Sequence, residues 1–270
     1  MRPTLSRLSR QLAAPLTAAL SHLAPTPHEL AQRNPLAAAW QPDPDDAYCP
    51  RCGAPAGPHT VTPDGCPRCI HTKPHYQRLT RLGLYHEPLA DWIKQLKFAK
   101  QWRWADHLGR LLADRLPPPP PGHKPLVIPI PMHRLRRIHR GFNQAELLAH
   151  AVAKRRRWPM LQPLRRTRHT RPQSSLPPST RLTNLNNATA CRPVDLAGHA
   201  VYLIDDVKTT GATLNTAARL LKHANAPLIH AAVLAIADPT GQRFETITPP
   251  ATPTTNREIL KPHPSNLKPQ

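Results

Sequence analysis

Short apolar runs alternate with helical stripes along the second half of this 270-residue chain. Val201–Ile204, Leu228–Ile236 and Pro125–Ile130 are too short for helices and suit strands buried on both faces. Before and between them, apolar residues recur at helical spacing. Leu89, Trp92, Ile93, Leu96, Leu108, Leu111 and Leu112 predict one or two helices over about 88–115, with Pro88 in the first turn. Leu116 and the five prolines at 117–121 end that stretch. Asn143 with Glu146 three residues on reads as a capping box opening a helix to about 157. Leu214, Ala217, Ala218 and Leu221 mark one face of a helix over 214–222. Strands and helices in alternation predict an α/β core.

Other stretches carry no such pattern. Residues 1–45 are rich in Ala, Pro and Leu; their first ten residues hold Arg and Ser without an acid, rather like a transit peptide, and read as a basic, loosely ordered extension. Arg165 to Gln173 and on to Asn184 lacks periodicity and reads as a long loop, a kind that is usually functional or disordered. From Thr246 onward Pro, Thr and Lys dominate, which predicts disorder. Trp102 and Trp104 flank Arg103; core packing is the preferred reading over base stacking. No apolar run approaches the ~18 residues that a membrane span needs.

Charge adds a partner class. A formal net charge of +21 points to a polyanion, nucleic acid first and an anionic membrane surface second, unless a general bias toward Arg and Pro explains it. No acid stands between Glu146 and Asp195, while Lys154, Arg155, Arg156, Arg157, Arg165, Arg166, Arg168 and Arg171 do. This basic flap is a candidate either for a nucleic-acid backbone or for a pyrophosphate.

The cysteines specify a metal. Cys49-Pro-Arg-Cys52 and Cys66-Pro-Arg-Cys69 stand thirteen residues apart, two knuckles that bring four thiolates together. That set matches the tetrahedral four-thiolate geometry Zn²⁺ prefers, and with all four positions filled by protein the role is structural. Removing the zinc is expected to unfold 48–70 and leave the core folded. Cys191 stands apart as an incidental thiol.

The densest chemistry follows Ile204. Asp205 and Asp206 come first, then Lys208, Thr209, Thr210, Gly211, Ala212 and Thr213, then a helix N-terminus. Unpaired amides and the helix dipole make such a turn an anion site, and the threonine hydroxyls add donors. Carboxylates suit sugar hydroxyls, directly or through a cation such as Mg²⁺. Val201–Thr213 resembles the signature of the type I phosphoribosyltransferases, which bind 5-phosphoribosyl-1-pyrophosphate (PRPP). The resemblance implies that Asp205 and Asp206 take the ribose hydroxyls and that residues 208–213 wrap the 5′-phosphate. After the 125–130 strand, the loop with His133, Arg134, Arg136, Arg137 and Arg140 lies where ligands bind in open α/β sheets. In those transferases the corresponding loop holds the pyrophosphate.

The whole order of features resembles the ComF family of late competence and DNA-utilisation proteins. It rests on the two Cys-Pro-Arg-Cys pairs, Leu84-Tyr-x-x-Pro-Leu89, Leu96-Lys-Phe98, Pro129-Ile-Pro-Met-His133, Arg140-Gly-Phe-Asn-Gln-Ala145, Arg166-Thr…Gln173 and Asp205–Thr213. The resemblance implies a type I phosphoribosyltransferase-like parallel sheet flanked by helices, with a small N-terminal zinc ribbon. The expected boundaries are an extension over 1–45, the ribbon over 46–75, the transferase-like domain over 80–240 and a tail over 241–270. It also implies a cytoplasmic bacterial protein that handles incoming single-stranded DNA in transformation, alongside helicase or recombination proteins. One position departs: purine transferases carry an Asp where this chain has Thr209, which leaves the general base unassigned. Two other readings stay open, a non-catalytic nucleic-acid-binding adaptor that senses PRPP and a nucleobase-salvage transferase.

Overall fold

The computed structural model describes residues 35–57, 60–62, 65–70, 73–98, 102–133, 137–138, 140–166 and 189–237. Along them run α1 (Pro35–Ala39), β1 (Arg78–Leu84), α2 (Leu89–Phe98), α3 (Arg103–Arg115), β2 (Lys124–Pro129), α4 (Gln144–Arg156), β3 (Leu164–Arg166), β4 (Thr189–Cys191), β5 (His199–Lys208), α5 (Ala212–His223) and β6 (Leu228–Ile236). Four strands make a wholly parallel sheet in the order β1-β6-β5-β2. β3 and β4 form a separate antiparallel pair.

Alternation along β5 builds both faces of the core. Tyr202 and Ile204 join one cluster, where Trp92, Ile93, Leu108, Leu112 and Leu148 of α2, α3 and α4 pack. Val201 and Leu203 join the other cluster, with Leu214, Ala217, Ala218 and Leu221 of α5. Burial on both sides is why these strands read as unbroken apolar runs. The parallel order sends every strand's C-terminal end to one edge, and β5, paired on both sides, stands inside that edge.

Several expectations change in detail. Strand β5 does not stop at Ile204 but continues through Asp205 and Asp206 to Lys208, so the acids lie on the strand itself. The capping box at Asn143 does not form: its amide donates to the Ile130 carbonyl at 3.0 Å, and Glu146 turns to Arg137 and Gln162. Strand β1 shows no apolar alternation in the sequence because Thr80 and Arg81 are buried within it. Arg81 is 1% exposed, pairs with Asp43 at 2.8 Å and stacks on the Tyr48 ring at 4.9 Å. Thr80 meets His230 Nε2 at 2.8 Å.

The chain joins the domain earlier than position 45. Trp40 meets Trp92 edge-on at 5.1 Å, and the Asp43 amide donates to the Leu82 carbonyl at 2.7 Å. Trp92 in turn stacks on Trp104 at 5.0 Å, whose indole donates to Gln95 at 2.9 Å, so Trp104 is a core residue. The expectations for residues 1–34 and 241–270 fall outside the described residues.

Candidate functional site

The acid pair sits at the C-terminal end of β5, where pairing with β2 has ended and pairing with β6 continues. The Asp206 amide donates to Asp205 Oδ1 at 2.8 Å, and the Val207 amide to Asp206 Oδ1 at 2.7 Å. Lys97, from the end of α2, reaches Asp206 Oδ2 at 2.9 Å. Burial and the neighbouring Asp206 charge push the Asp205 carboxyl up to about 8, against the pull of the Asp206 amide and Lys97. Such a site favours a ligand or cation that stabilises the ionised pair.

Past Lys208 the chain turns into α5. Gly211 takes φ of +80°, and a Cβ there would lie 2.8 Å from Lys208 Cε, so the lysine side chain folds over the glycine. The Asn215 amide bonds the Gly211 carbonyl and begins the helix, leaving the preceding amides outside the helical ladder. Asn215 Oδ1 also accepts from the His75 amide at 2.6 Å, tying α5 to the segment after the cysteines.

Across from the acids stands the loop after β2. Asp205, Asp206 and Thr213 share a cleft of about 300 Å³ with His133, Arg140 and Arg166. Arg140 lies over the Phe98 ring at 5.1 Å, joining this loop to the end of α2. Carboxylates and cations thus line the same cleft.

The four cysteines form a second centre. Their sulfurs lie within 4.8 Å of one another, all buried, with Sγ pairs at 3.8 Å (Cys49 and Cys69), 3.5 Å (Cys52 and Cys66) and 3.9 Å (Cys66 and Cys69). Sulfurs about 2.3 Å from a tetrahedral centre stand about 3.8 Å apart, so the set fits one metal ion. It is docked on the sheet. The Leu79 amide donates to the Pro50 carbonyl at 2.7 Å, and Gly53, at φ +77°, approaches Leu79 and Ile236 too closely for a side chain.

Comparison with known proteins bears on these features together. Residues 161–254 match the phosphoribosyl transferase domain. The chain is 34% identical over 192 residues to DNA utilization protein YhgH of Escherichia coli, covering 66% of this chain and 78% of the relative. It is 33% identical over 183 residues to competence protein F of Haemophilus influenzae, covering 65% and 78%. Competence protein ComFC of Bacillus subtilis is 27% identical over 177 residues, covering 64% and 70%. The chain belongs to the ComF family.

In this ComF protein the basic candidates divide among three places. His133 and Arg140 line the acid cleft, and Arg137, paired with Glu146 at 3.2 Å, faces a neighbouring cleft with Arg165 and Arg166. Arg155, Arg156 and Arg157 sit at the far end of α4, away from the cleft its first turn lines. There Arg155 binds Asp114 at 2.8 Å, Arg156 lies 4.5 Å from the Trp158 ring, and Arg157 is the left-handed cap. Arg134, Arg136, Arg168 and Arg171 fall outside the described residues. Cys191 lies in β4, outside the cysteine cluster.

Sequence reasoning assigned no role to Lys97, Phe98 or Arg192. Leu96-Lys-Phe98 stood among the family features, but its place against Asp206 and Arg140 depends on helix packing that no local pattern carries. Arg192 follows the long loop, and its amide bonds the Pro163 carbonyl at 2.8 Å. Among the described residues no helix is long and apolar enough to cross a membrane.

Proposed function

We propose that this ComF protein binds Mg²⁺-PRPP in the cleft between the 208–213 turn and the loop after β2, and handles incoming single-stranded DNA during uptake. The observation that carries the reading is the meeting of Asp205, Asp206 and Thr213 with His133 and Arg140 on one cleft at the sheet's C-terminal edge. The carboxylates accept hydrogen bonds from the ribose 2′ and 3′ hydroxyls. Lys208, Thr209, Thr210, Gly211, Ala212 and Thr213 surround the 5′-phosphate at the start of α5. His133 and Arg140, with Arg134, Arg136 and Arg137 on the same loop, take the pyrophosphate. Two carboxylates beside a phosphate ligand are a donor set for a hard cation, and bound Mg²⁺ would supply charge to the pyrophosphate oxygens. Cys49, Cys52, Cys66 and Cys69 would hold Zn²⁺ as a structural centre.

The relatives' names, DNA utilization protein and competence protein, support the DNA role, as does the net charge of +21. On this reading the protein works in the cytoplasm, with helicase or recombination proteins as partners. A ligand bound to the folded state at a hundredfold over its Kd adds about 2.7 kcal/mol. Mg²⁺-PRPP should therefore raise the melting temperature, and ribose 5-phosphate or pyrophosphate alone should raise it less. No shift with any of the three would remove the PRPP reading.

A second reading, an adaptor that senses PRPP without turning it over, has its own support. Asp205 and Asp206 are the carboxylates lining the cleft among the described residues, so no third acid stands ready as general base. Pyrophosphate release in the presence of a panel of bases separates the sensor from a salvage transferase. Release with one base would favour a salvage transferase, and none with any base would favour the sensor.

A further inference from the structure

Beside the acid cleft lies a larger one, about 690 Å³ in volume, in the range of sites that enclose a whole small ligand. Arg137, Arg165, Arg166 and Arg192 line it, and none of its described lining residues is an acid. Glu146 is near, bound by Arg137 at 3.2 Å and by Gln162 at 3.1 Å, so the charge of Arg137 is offset. The rest of the wall includes Met132 and Leu164, an apolar and polarisable surface.

The arginines are held by paired backbone. Arg165 and Arg166 lie on β3, in register with Ala190 and Thr189 of β4, and the Arg192 amide bonds the Pro163 carbonyl. Alternation along the pair sets Arg165 on the same face as Arg192, which stands opposite Pro163, and turns Arg166 to the other face. Pro131, Met132, Asn143 and Arg166 line this cleft and the acid cleft alike, so the two are contiguous. A ligand in the second would stand beside a ligand in the first.

A free nucleobase brings no charge to meet Arg165 and Arg192, and an inorganic anion makes no use of the apolar wall. We propose that this cleft binds a nucleotide unit, with its phosphate on Arg165 and Arg192 and its base against Met132. The proposal rests on the PRPP reading for what occupies the adjoining cleft. It makes the unit facing PRPP a nucleotide rather than a free base. Its source is either a free mononucleotide or one residue of a single DNA strand; the chemistry recognised is the same.

The test uses the full chain, first saturated with Mg²⁺-PRPP, and three probes: thymidine, thymidine 5′-monophosphate and a short oligothymidylate. At least one phosphate-bearing probe should bind about tenfold or more tightly than thymidine. Arg165→Gln combined with Arg192→Gln should weaken that probe by a similar factor, about tenfold. Mg²⁺-PRPP affinity should hold in the double variant, which also reports that it folds. Equal binding of both phosphate probes supports a free nucleotide as the source. Binding of the oligomer alone supports a strand, and the salt slope should then flatten by about 0.7 in the variant, the value for one lost phosphate contact. Thymidine binding as tightly as both phosphate probes would overturn the proposal, and so would a double variant that binds them like wild type. Failure of the wild type to bind Mg²⁺-PRPP would instead strike the PRPP reading, while the three probes still report on this cleft.

Discussion

A carboxyl beside another carboxylate, shielded from water, resists ionising. Burial and the charge of Asp206 therefore hold Asp205 up to about 8, although Lys97 lies 2.9 Å from Asp206 and opposes the shift. The folded chain keeps a proton that an unfolded chain gives up near pH 4. This group's contribution to stability is then fully present below about pH 4 and lost as pH rises through about 8. Denaturation midpoints of wild type and Asp205→Asn, followed from pH 5 to 9, should diverge with the wild type losing ground toward the alkaline end. Parallel curves would show that Asp205 ionises in the ordinary range. The acids and the turn after them were legible in the sequence because they are contiguous: one strand end and one helix start carry them all. Lys97 and Arg192 were not, since distant elements bring them to the site and no spacing records the meeting.

Among the elements, the strands with continuous apolar runs, β2, β5 and β6, could be read directly, and so could α5. Strand β1 could not, because its buried Arg81 and Thr80 meet Asp43 and His230, partners far along the chain. The end of β5 was read as loop since its last four residues are polar or lie beside polar ones; the sheet extends through them because β6 pairs as far as Lys208. Helices α3 and α4 show how close packing overrides local propensity. Gly109 lies mid-helix in α3, and a Cβ there would stand 2.5 Å from Ala151 Cβ and 3.2 Å from the Leu148 carbonyl. Gly→Ala ordinarily favours a helix by about 1 kcal/mol. Here the overpacking cost, about 1–3 kcal/mol, should win, so Gly109→Ala should lower stability in denaturant. Adding Ala151→Gly should recover part of the loss by reopening the contact. A Gly109→Ala single variant more stable than wild type would show that α3 and α4 approach less closely than described.

Over the whole molecule, the cysteine centre is a support of the sheet as well as a module of its own. Its first knuckle lies on Leu79 and Ile236 and takes the Leu79 amide, so it covers the ends of β1 and β6. The sequence alone suggested that metal removal would spare the core. The docked knuckle changes that expectation: chelation should release the ribbon amides to exchange and also lower the core's melting temperature, by ~2–4 °C for each kcal/mol of lost contact. An unchanged core transition would mean that the knuckle adds nothing to the sheet. The central claim concerns the ligand of the acid cleft, and calorimetric titration with Mg²⁺-PRPP tests it most directly. Wild type should bind with a heat that saturates at one site, and Asp205→Asn combined with Asp206→Asn should lose about tenfold or more in affinity while staying folded. Equal affinity in wild type and the double variant, or no binding by either, would contradict the account.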